Sequence, residues 1–488
     1  MSAGRLFLQA LRLDFDPVDQ VRRRIDAALR LDVGGFLFFG AAADVAGRLA
    51  EEILAATDRP LWLAADLERG AGQHFRGLTT FPPPAALAHH AEPVEAVRMA
   101  ARSTAREALD LGLNLALAPV LDLDVEARNP IVGTRSFGPD PERVAAFGRA
   151  WIAACQAEGV AACAKHFPGH GRTTADSHAE LPVVDASRET LEADLTPFRE
   201  VAGEVACVMS AHVAYPALGG SGPATLESAV LIDLLRGEMG FEGLVLTDAL
   251  NMSGVRGATG HEADAAAAPE VASLTAGCDL LLYPPDLAEA IAAVEKAADA
   301  SSAVADRLTE SLERGARTLA RFSTPERSSG AALSALTETA ATISTACVMT
   351  VGGGPPAWLD PSHPVRVATI WDDREELARE PFGELFREAL REAGWNVLPP
   401  GPTLERAPLI VLVASTPQAW KGTATLTLTG RAALEGILAG GRAYPVVFGH
   451  PRLLDELQGP GLCAWATEPA MEPAAARRLD ALVRGISN

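Results

Sequence analysis

Residues 160–170, VAACAKHFPGH, join an apolar run to a polar loop, and the fold of the first part of the chain can be worked out from them. The first five residues are apolar at every position, as in a parallel strand that is buried on both faces. Pro168 and Gly169 then exclude a regular helix. We therefore expect Lys165 and His166 to lie at the carboxyl end of a strand, with a loop projecting beyond it.

Similar apolar runs recur before and after this one, separated by amphipathic segments rich in Ala, Glu and Arg. The eight runs are residues 6–10, 35–39, 61–65, 113–118, 160–164, 205–210, 244–247 and 279–283. Eight alternating strand and helix units predict a (β/α)8 barrel of the TIM type, which is an α/β fold.

Polar residues that directly follow these runs are candidates for chemistry, because active sites of such barrels lie at the carboxyl ends of the strands. They are Asp66, Asp122, Lys165, His166, His212 and Asp248. We expect them to converge on one mouth of the barrel. For Asp248 the structural alternative is the N-cap of a following helix.

After the barrel the composition is helical, and residues 323–330, STPERSSG, read as a linker. The pattern then restarts as β, α, β, α, β over residues 365–370, 379–393, 409–414, 432–438 and 444–448. We expect a barrel domain at residues 1–322, a linker at 323–345 and a smaller α/β sandwich domain at 346–488. The VGGG at 351–354 lacks a complete phosphate-loop pattern, so we interpret it as a turn.

Composition narrows the class of protein. The chain has 488 residues, of which 48% are hydrophobic and 22% charged, with a formal net charge of −21. This predicts a soluble globular protein and disfavours a surface for nucleic acid or acidic lipid, while a small neutral substrate fits well. No secretory leader or membrane-spanning run is evident, which predicts a cytoplasmic protein. The six cysteines form no CxxC pair and are expected to be buried thiols. The oligomeric state stays open.

Two features of the polar loop have structural alternatives. His166 and His170 are four residues apart, but Pro168 and Gly169 destroy the helical register on which a pair of metal ligands would depend. We therefore predict no metal and no cofactor. Residues 176–178, DSH, could form a simple turn, since Asp and Ser favour turns. A functional role for this triplet depends on which motifs accompany it elsewhere in the chain.

Four motifs together indicate a family. They are KHFPGH at 165–170, DSH at 176–178, NPIVGTRSFGPDP at 129–141 and GLVLTDALNM at 243–252. With them the chain resembles glycoside hydrolase family 3, and within it the β-N-acetylglucosaminidase (β-N-acetylhexosaminidase) branch. Weaker similarities at 64–75, 210–218 and 222–228 extend the resemblance over nearly the whole barrel. Some members of this family also carry a carboxyl-terminal α/β sandwich.

The resemblance implies a retaining, exo-acting glycoside hydrolase that removes terminal β-linked N-acetylglucosamine or a related β-hexose. By this resemblance Asp248 is the nucleophile, and His178 is the general acid/base with Asp176 orienting it. The residues that it implies for binding the terminal sugar are Asp66, Arg135, Lys165 and His166. A histidine suits the second role chemically, because its unperturbed pKa of about 6.5 lets it give and take a proton near neutrality.

The chain departs from the family pattern at three places. His74 stands where an arginine is usual, a glycine position is disturbed in DLERGAG at 66–72, and Ala249 stands where an aspartate commonly follows the nucleophile. These departures bear on the identity of the sugar more than on the mechanism. Two alternatives stay open: transfer to phosphate instead of water, and a sugar-binding protein without catalysis.

Overall fold

The computed structural model describes residues 2–174, 181–256, 268–322, 333–371, 382–399, 407–415 and 426–486. The chain divides into two compact units. The first comprises Met1–Thr79, Val97–Glu126 and Ser136–Ala332, and the second comprises Thr80–Ala96, Ala127–Arg135 and Leu333–Asn488. Within the described residues, no helix has the length and apolarity needed to cross a membrane.

The first unit is built on short parallel strands. In chain order its strands are β1 (Phe7–Arg12), β2 (Gly35–Phe39), β3 (Ala41–Ala42), β4 (Trp62–Ala65), β5 (Phe75–Arg76), β6 (Leu115–Ala116), β7 (Ala161–Phe167), β8 (Cys207–Ser210), β9 (Leu244–Leu246) and β10 (Leu281–Leu282). Eight of them form one sheet in the order β10-β1-β2-β4-β6-β7-β8-β9. A parallel bridge between Leu246 and Leu280 joins the two ends of this sheet. The predicted (β/α)8 barrel is therefore confirmed, and each predicted strand run contains or overlaps a barrel strand.

Helices alternate with the barrel strands and continue beyond them. In chain order they are α1 (Val18–Arg30), α2 (Ala43–Ala55), α3 (Pro84–Leu87), α4 (Pro93–Asp110), α5 (Pro141–Ala157), α6 (Arg188–Val201), α7 (Ser253–Arg256), α8 (Pro269–Ala276), α9 (Leu287–Ala300) and α10 (Ser302–Ala320), with a π-helix at Ala229–Glu238. Local sequence sets several of their starts. Asp140 accepts a hydrogen bond from the backbone N–H of Arg143 at 2.9 Å, and Pro141 occupies the first helical position of α5.

The interior of the barrel is filled by alternate residues of its strands. Trp62 and Ala64 on β4, Ala161 and Cys163 on β7, and Leu244 and Leu246 on β9 all belong to one buried cluster. Residues two apart on a strand share a face, so each strand presents one inward row of side chains. This packed interior leaves the carboxyl end of the barrel as the place where polar side chains can gather.

The second unit contains a five-stranded sheet with helices. Its strands are β11 (Met349–Val351), β12 (Arg366–Trp371), β13 (Leu409–Ser415), β14 (Ala443–Gly449) and β15 (Gly461–Cys463), in the order β11-β15-β14-β13-β12. Its helices after residue 332 are α11 (Leu333–Cys347), α12 (Glu384–Glu392), α13 (Leu428–Ala439), α14 (Arg452–Leu457) and α15 (Met471–Val483). All strand pairs are parallel except β11 with β15. The expected α/β domain is therefore present, with an antiparallel edge strand that the sequence pattern did not predict.

Residues from the first third of the sequence complete this second unit. The ring of His89, which follows α3, lies 4.7 Å from the ring of Trp465. The indole Nε1 of Trp465 donates to the carbonyl oxygen of Cys347 at the end of α11 at 2.9 Å. The buried Trp465 thus links residues 80–96 to the helix that opens the carboxyl-terminal part of the unit. The domain boundaries derived from composition stay a prediction.

Candidate active site

Three ionisable side chains continue the inward rows of the barrel strands. Asp66 follows Trp62 and Ala64, Lys165 follows Ala161 and Cys163, and Asp248 follows Leu244 and Leu246, each at a spacing of two residues. Because parallel strands end at the same mouth, this spacing directs all three towards the carboxyl end of the barrel interior. The two-residue period of a β-strand is therefore enough to predict from the sequence that these three side chains converge.

Lys165 forms the centre of an ion-pair group at this mouth. Its Nζ lies 2.6 Å from Oδ1 of Asp66 and 2.8 Å from Oε1 of Glu68. The side chains of Lys165 and Glu68 are buried, whereas that of Asp66 is 27% exposed. One ammonium therefore holds two carboxylates in place, and Asp66 is the member of the group that a ligand can reach most readily.

Asp122 holds the end of β7 and the loop that follows it. Its Oδ2 lies 2.7 Å from Nδ1 of His166, and its Oδ1 accepts hydrogen bonds from the backbone N–H groups of His166 at 3.1 Å and His170 at 2.7 Å. Burial alone raises the pKa of this carboxyl, but the electrostatic and hydrogen-bond contributions of His166 and His170 together outweigh it and hold the pKa below its usual value. Asp122 is thus a fixed anion that orients the imidazole of His166.

Asp248 lies near the same histidine loop. Its Oδ1 accepts a hydrogen bond from the backbone N–H of Ala249 at 2.7 Å, and the next helix, α7, begins only at Ser253. The helix N-cap alternative is therefore not what the structure contains. Burial lowers the pKa of His170 to about 4, opposed by the charges of Asp122 and Asp248. Asp248 is thus within electrostatic range of the loop that follows β7.

Glycines allow the loop after β7 to approach the barrel closely. A Cβ on Gly171 would lie 2.0 Å from the carbonyl oxygen of Leu123, so no side chain fits at this position. The hydroxyl of Tyr215 donates to the carbonyl oxygen of Gly169 at 2.6 Å. The first residues of the loop are therefore anchored to the barrel by backbone contacts that larger residues would prevent.

His74 lies beside the Lys165 group. Its ring meets that of Phe39 edge to face at 5.7 Å. Burial lowers the pKa of His74, opposed by the charges of Asp66 and Glu68. At neutral pH this position therefore carries an uncharged imidazole, which can donate one hydrogen bond and accept another.

Comparison with known proteins identifies the family to which this chain is related. The family model described as the glycosyl hydrolase family 3 N terminal domain matches residues 25–318, which is more than half of the chain. The chain belongs to glycosyl hydrolase family 3. A beta-hexosaminidase of Pseudomonas aeruginosa is 38% identical to it over 263 residues, which make up 53% of this chain and 77% of that protein.

Solved structures resemble nearly the whole chain. A glycoside hydrolase family 3 beta-N-acetylglucosaminidase from Paenibacillus sp. str. FPU-7 is 28% identical, with a TM-score of 0.84 covering 100% of this chain and 96% of that one. The structure of the beta-glucoside phosphorylase BglX bound to 2FGlc gives a TM-score of 0.85 at 20% identity, covering 98% of this chain and 91% of that one. At that identity the second similarity concerns the fold.

Family 3 membership confirms the resemblance drawn from the four motifs and the expectation of a glycosidase. The chain is a β-hexosaminidase-like member of the family. Of the residues predicted for the site, Asp66 and Lys165 are brought into direct contact, and Asp248 ends the inward row of β9. His166 is paired with Asp122 at the end of β7.

The other predicted residues stand differently. Asp176 and His178 lie outside the described residues. Arg135 lies in the second unit, where its Nη1 donates to the carbonyl oxygen of Ile131 at 3.3 Å. The roles assigned to these three residues and to the rest of the predicted site therefore remain proposals.

Several contacts at the site were not predicted. Glu68, two residues after Asp66, shares its ammonium partner, and Arg172 at the start of the loop donates from Nε to the buried Asp194 at 2.6 Å. The spacing of Asp66 and Glu68 was the signal available for the first contact. Among the described residues no cluster of three metal-ligating side chains occurs, and the Nδ1 atoms of His166 and His170 face Asp122 and Thr173.

Proposed function

We propose that this family 3 chain is a retaining, exo-acting glycosidase that removes terminal β-linked N-acetylglucosamine. Asp248 is the nucleophile, and His178, oriented by Asp176, is the general acid and base. The observation that carries the proposal is that Asp248 ends the inward row of β9, at the mouth that also holds the paired Lys165 and Asp66. Similarity to beta-hexosaminidases supports the choice of sugar.

Retention requires two displacements at the anomeric carbon. Asp248 attacks this carbon to form a covalent glycosyl-aspartate while His178 gives its proton to the leaving oxygen, and the neutral histidine then takes a proton from the incoming water. The carboxylates nearest to the site are poorly suited to this proton transfer. Asp122 and Glu68 are buried and paired with His166 and Lys165, which supports a histidine in the role.

The terminal sugar is held by groups of fixed direction. Asp66, the more exposed carboxylate of the Lys165 group, can accept hydrogen bonds from two sugar hydroxyls. His166 turns Nδ1 to Asp122 and so leaves Nε2 as the nitrogen that can meet a hydroxyl. Lys165 keeps Asp66 in place and can donate to the same sugar, and Arg135 is proposed as a further donor from the family resemblance alone.

The substituent at C2 of the sugar is the least constrained part of the proposal. His74 replaces the arginine that is usual in the family, and burial keeps this imidazole uncharged near neutral pH. An uncharged donor suits a neutral hydroxyl or acetamido group equally well. The proposed setting is the cytoplasm, where sugars from cell-wall turnover would supply such substrates.

The proposal is tested with aryl β-glycosides that differ at C2 and in the acidity of the leaving group. Asp248→Asn should lower turnover on all of them by several powers of ten, each worth about 1.4 kcal/mol of barrier. His178→Ala should slow poor leaving groups far more than activated ones, because activated phenols depart without a proton. Azide, which needs no base, should restore turnover of His178→Ala as a β-glycosyl azide. Asp299→Asn, on the exposed face of α9, is the matched control.

Each part of the proposal has its own contrary result. Equal loss on activated and unactivated substrates in His178→Ala, without azide rescue, would place the proton elsewhere. A much higher kcat/KM for the 2-hydroxy sugar than for its 2-acetamido counterpart would replace the substrate by a β-glucoside. Phosphate-dependent release of sugar 1-phosphate at the expense of free sugar would make the enzyme a phosphorylase.

A further inference from the structure

A chain of hydrogen bonds connects strand β8 to the peptide that follows Asp248. His212, two residues beyond the end of β8, is fully buried. Its Nε2 lies 3.3 Å from the carbonyl oxygen of Ala249, and its Nδ1 lies 2.8 Å from Oγ1 of Thr225. No part of the mechanism described above uses this imidazole.

The partners of His212 select one form of the ring. A carbonyl oxygen can only accept a hydrogen bond, so Nε2 must carry the hydrogen that points at Ala249. Nδ1 of the neutral ring is then an acceptor that faces the hydroxyl of Thr225 at 2.8 Å. That hydroxyl has the carbonyl oxygen of Ala211 as a second acceptor at 3.1 Å, and its oxygen accepts from the hydroxyl of Ser210 at 2.9 Å. Two buried hydroxyls therefore hold the imidazole with its donor facing the residue next to Asp248.

The peptide that His212 contacts also controls the carboxylate of Asp248. The N–H of Ala249 donates to Oδ1 of Asp248 at 2.7 Å, while the carbonyl of the same residue accepts from His212. On the other side the turn is tied to β10, because the N–H of Leu250 donates to the carbonyl oxygen of Leu282 at 2.9 Å. The turn is thus held by contacts from two neighbouring strands, and the contact from the end of β8 is made by the side chain of His212.

We propose that His212 is a positioning residue for the nucleophile, which it acts on through the Ala249 peptide, with Thr225 and Ser210 holding the ring in place. This inference rests on the proposed role of Asp248. A nucleophile must lie within a few tenths of an ångström of its attack position, and a displacement of about 1 Å costs on the order of a hundredfold in rate. His212 therefore acts on the formation of the glycosyl-enzyme and not on protonation of the leaving group.

Two amide variants separate the roles of the two ring nitrogens of His212. His212→Gln can place an amide N–H near the position of Nε2 and so keep the bond to Ala249. His212→Asn places its amide near Nδ1, which keeps a partner for Thr225 but loses the bond to Ala249. The pre-steady-state burst of 2,4-dinitrophenol from the corresponding β-N-acetylglucosaminide reports the attack step, because this leaving group needs no proton.

We expect His212→Asn to slow the burst by about tenfold to a hundredfold, and His212→Gln to retain most of the wild-type rate. The sensitivity of the rate to leaving-group acidity should stay as in the wild type, and azide should give no rescue. Thr225→Val, which removes only the hydroxyl behind the ring, should slow the burst more mildly. It also serves as the test if both His212 variants fail to fold.

Three results would overturn the inference. They are a wild-type burst rate in folded His212→Asn, an equal loss in Asn and Gln variants of equal stability, and an unchanged rate in Thr225→Val. Peptide mapping of the acid-quenched wild-type adduct keeps this test apart from the proposed function. A sugar on Asp248 with an unaffected His212→Asn rejects only the positioning role, whereas a sugar on another residue rejects the nucleophile itself.

Discussion

Burial and charged or hydrogen-bonding neighbours together fix the protonation states of several groups around the barrel mouth. Lys165 is 2% exposed and meets two carboxylates, so its loss would leave like charges facing each other in a poorly hydrated place. Asp122 stays an anion because His166 and two backbone N–H groups surround it. His170 stays neutral because burial lowers its pKa to about 4. The site therefore enters the reaction with its charges already set.

The low pKa of His170 predicts a pH-dependent stability. An unfolded histidine takes up a proton below a pKa of about 6.5, whereas native His170 does so only near pH 4. Its contribution to stability is therefore complete above pH 6.5 and decreases as the pH falls towards 4. The gap corresponds to about 3 kcal/mol of unfolding free energy. Urea unfolding at pH 7, 5.5 and 4 should show this decrease in the wild type.

His170→Asn removes the titrating group while keeping an acceptor that can face Thr173. Its unfolding free energy should depend less on pH over this interval by about that amount. His363→Asn removes an exposed histidine of the second unit and serves as the control. An undiminished pH dependence in His170→Asn would mean that another buried group titrates there.

At the scale of the elements, one buried aspartate ties the last barrel strands to α10 and to the π-helix. Asp279 lies just before β10, the last strand of the barrel, and is fully buried. Its carboxylate accepts hydrogen bonds from Arg236, Arg307, Arg314 and Ser311, and from the backbone of Val245. Burial raises the pKa of Asp279, but the three arginines outweigh this and hold it below its usual value.

Replacing this carboxylate should destabilise the barrel strongly. Asp279→Asn leaves three guanidinium groups without their shared anion, at an expected cost of about 3–5 kcal/mol of unfolding free energy. Glu313 lies on the exposed side of α10, where its carboxylate is 3.9 Å from Arg317. Glu313→Gln should therefore change the unfolding free energy by less than about 1 kcal/mol. Thermal and denaturant unfolding measure both. Equal effects would mean that the Asp279 cluster is well solvated.

The low pKa of Asp279 also gives this stabilisation a direction with pH. It is fully present above the unfolded pKa of about 3.9 and is lost as the pH falls through the lower native pKa. The difference in stability between the wild type and Asp279→Asn should therefore shrink below pH 4 and stay constant above it.

The elements of the barrel were predictable because its strands are buried on both faces. Runs such as 35–39 and 244–247 contain no charged residue, and this signal survives even where only two residues form regular strand, as in β6 and β10. In the second unit, the helices α11, α14 and α15 and the strands β11 and β15 were missed. The two strands have only three residues each, and a run of that length carries no readable period.

The site could be predicted as a set of strand ends but not as a set of pairs. Asp66 and Lys165 are 99 residues apart in the chain, and Asp122 and His166 are 44 residues apart. The direction of each side chain follows from a period of two residues, which sequence reveals. The pairing of each carboxylate with a particular lysine or histidine depends on how the sheet curves as it closes. The sequence does not reveal this curvature.

At the scale of the whole molecule, the second unit is assembled from three separate parts of the chain. Residues 80–96 and 127–135 belong to it together with residues 333–488. The first of these segments contains α3, in which every residue is buried. Its partners in the unit include Trp465, which lies against His89. Cleaving the chain at one point in the sequence therefore does not separate the two units.

A chain that ends at Ala332 should consequently be less stable than the complete protein. Its residues 80–96 would lose α11 and Trp465 and expose apolar surface, which costs about 25 cal/mol per Å². We expect a lower thermal midpoint and faster proteolysis near residue 89 by mass spectrometry. The complete chain nicked between residues 323 and 332 is the matched control, since it keeps every segment and should retain the original midpoint. Equal midpoints for the truncated and nicked forms would contradict this account.

Because the second unit is assembled from distant segments, its parts leave the ribosome at different times during synthesis. The segment 80–96 leaves the ribosome more than two hundred residues before α11 begins at Leu333. At about 5–20 residues per second it waits roughly 10 to 50 seconds for its partner. During that interval the buried face of α3 is an exposed apolar surface on a nascent chain. Slower translation after residue 96 should therefore lengthen the period in which the newborn protein can aggregate or recruit a chaperone.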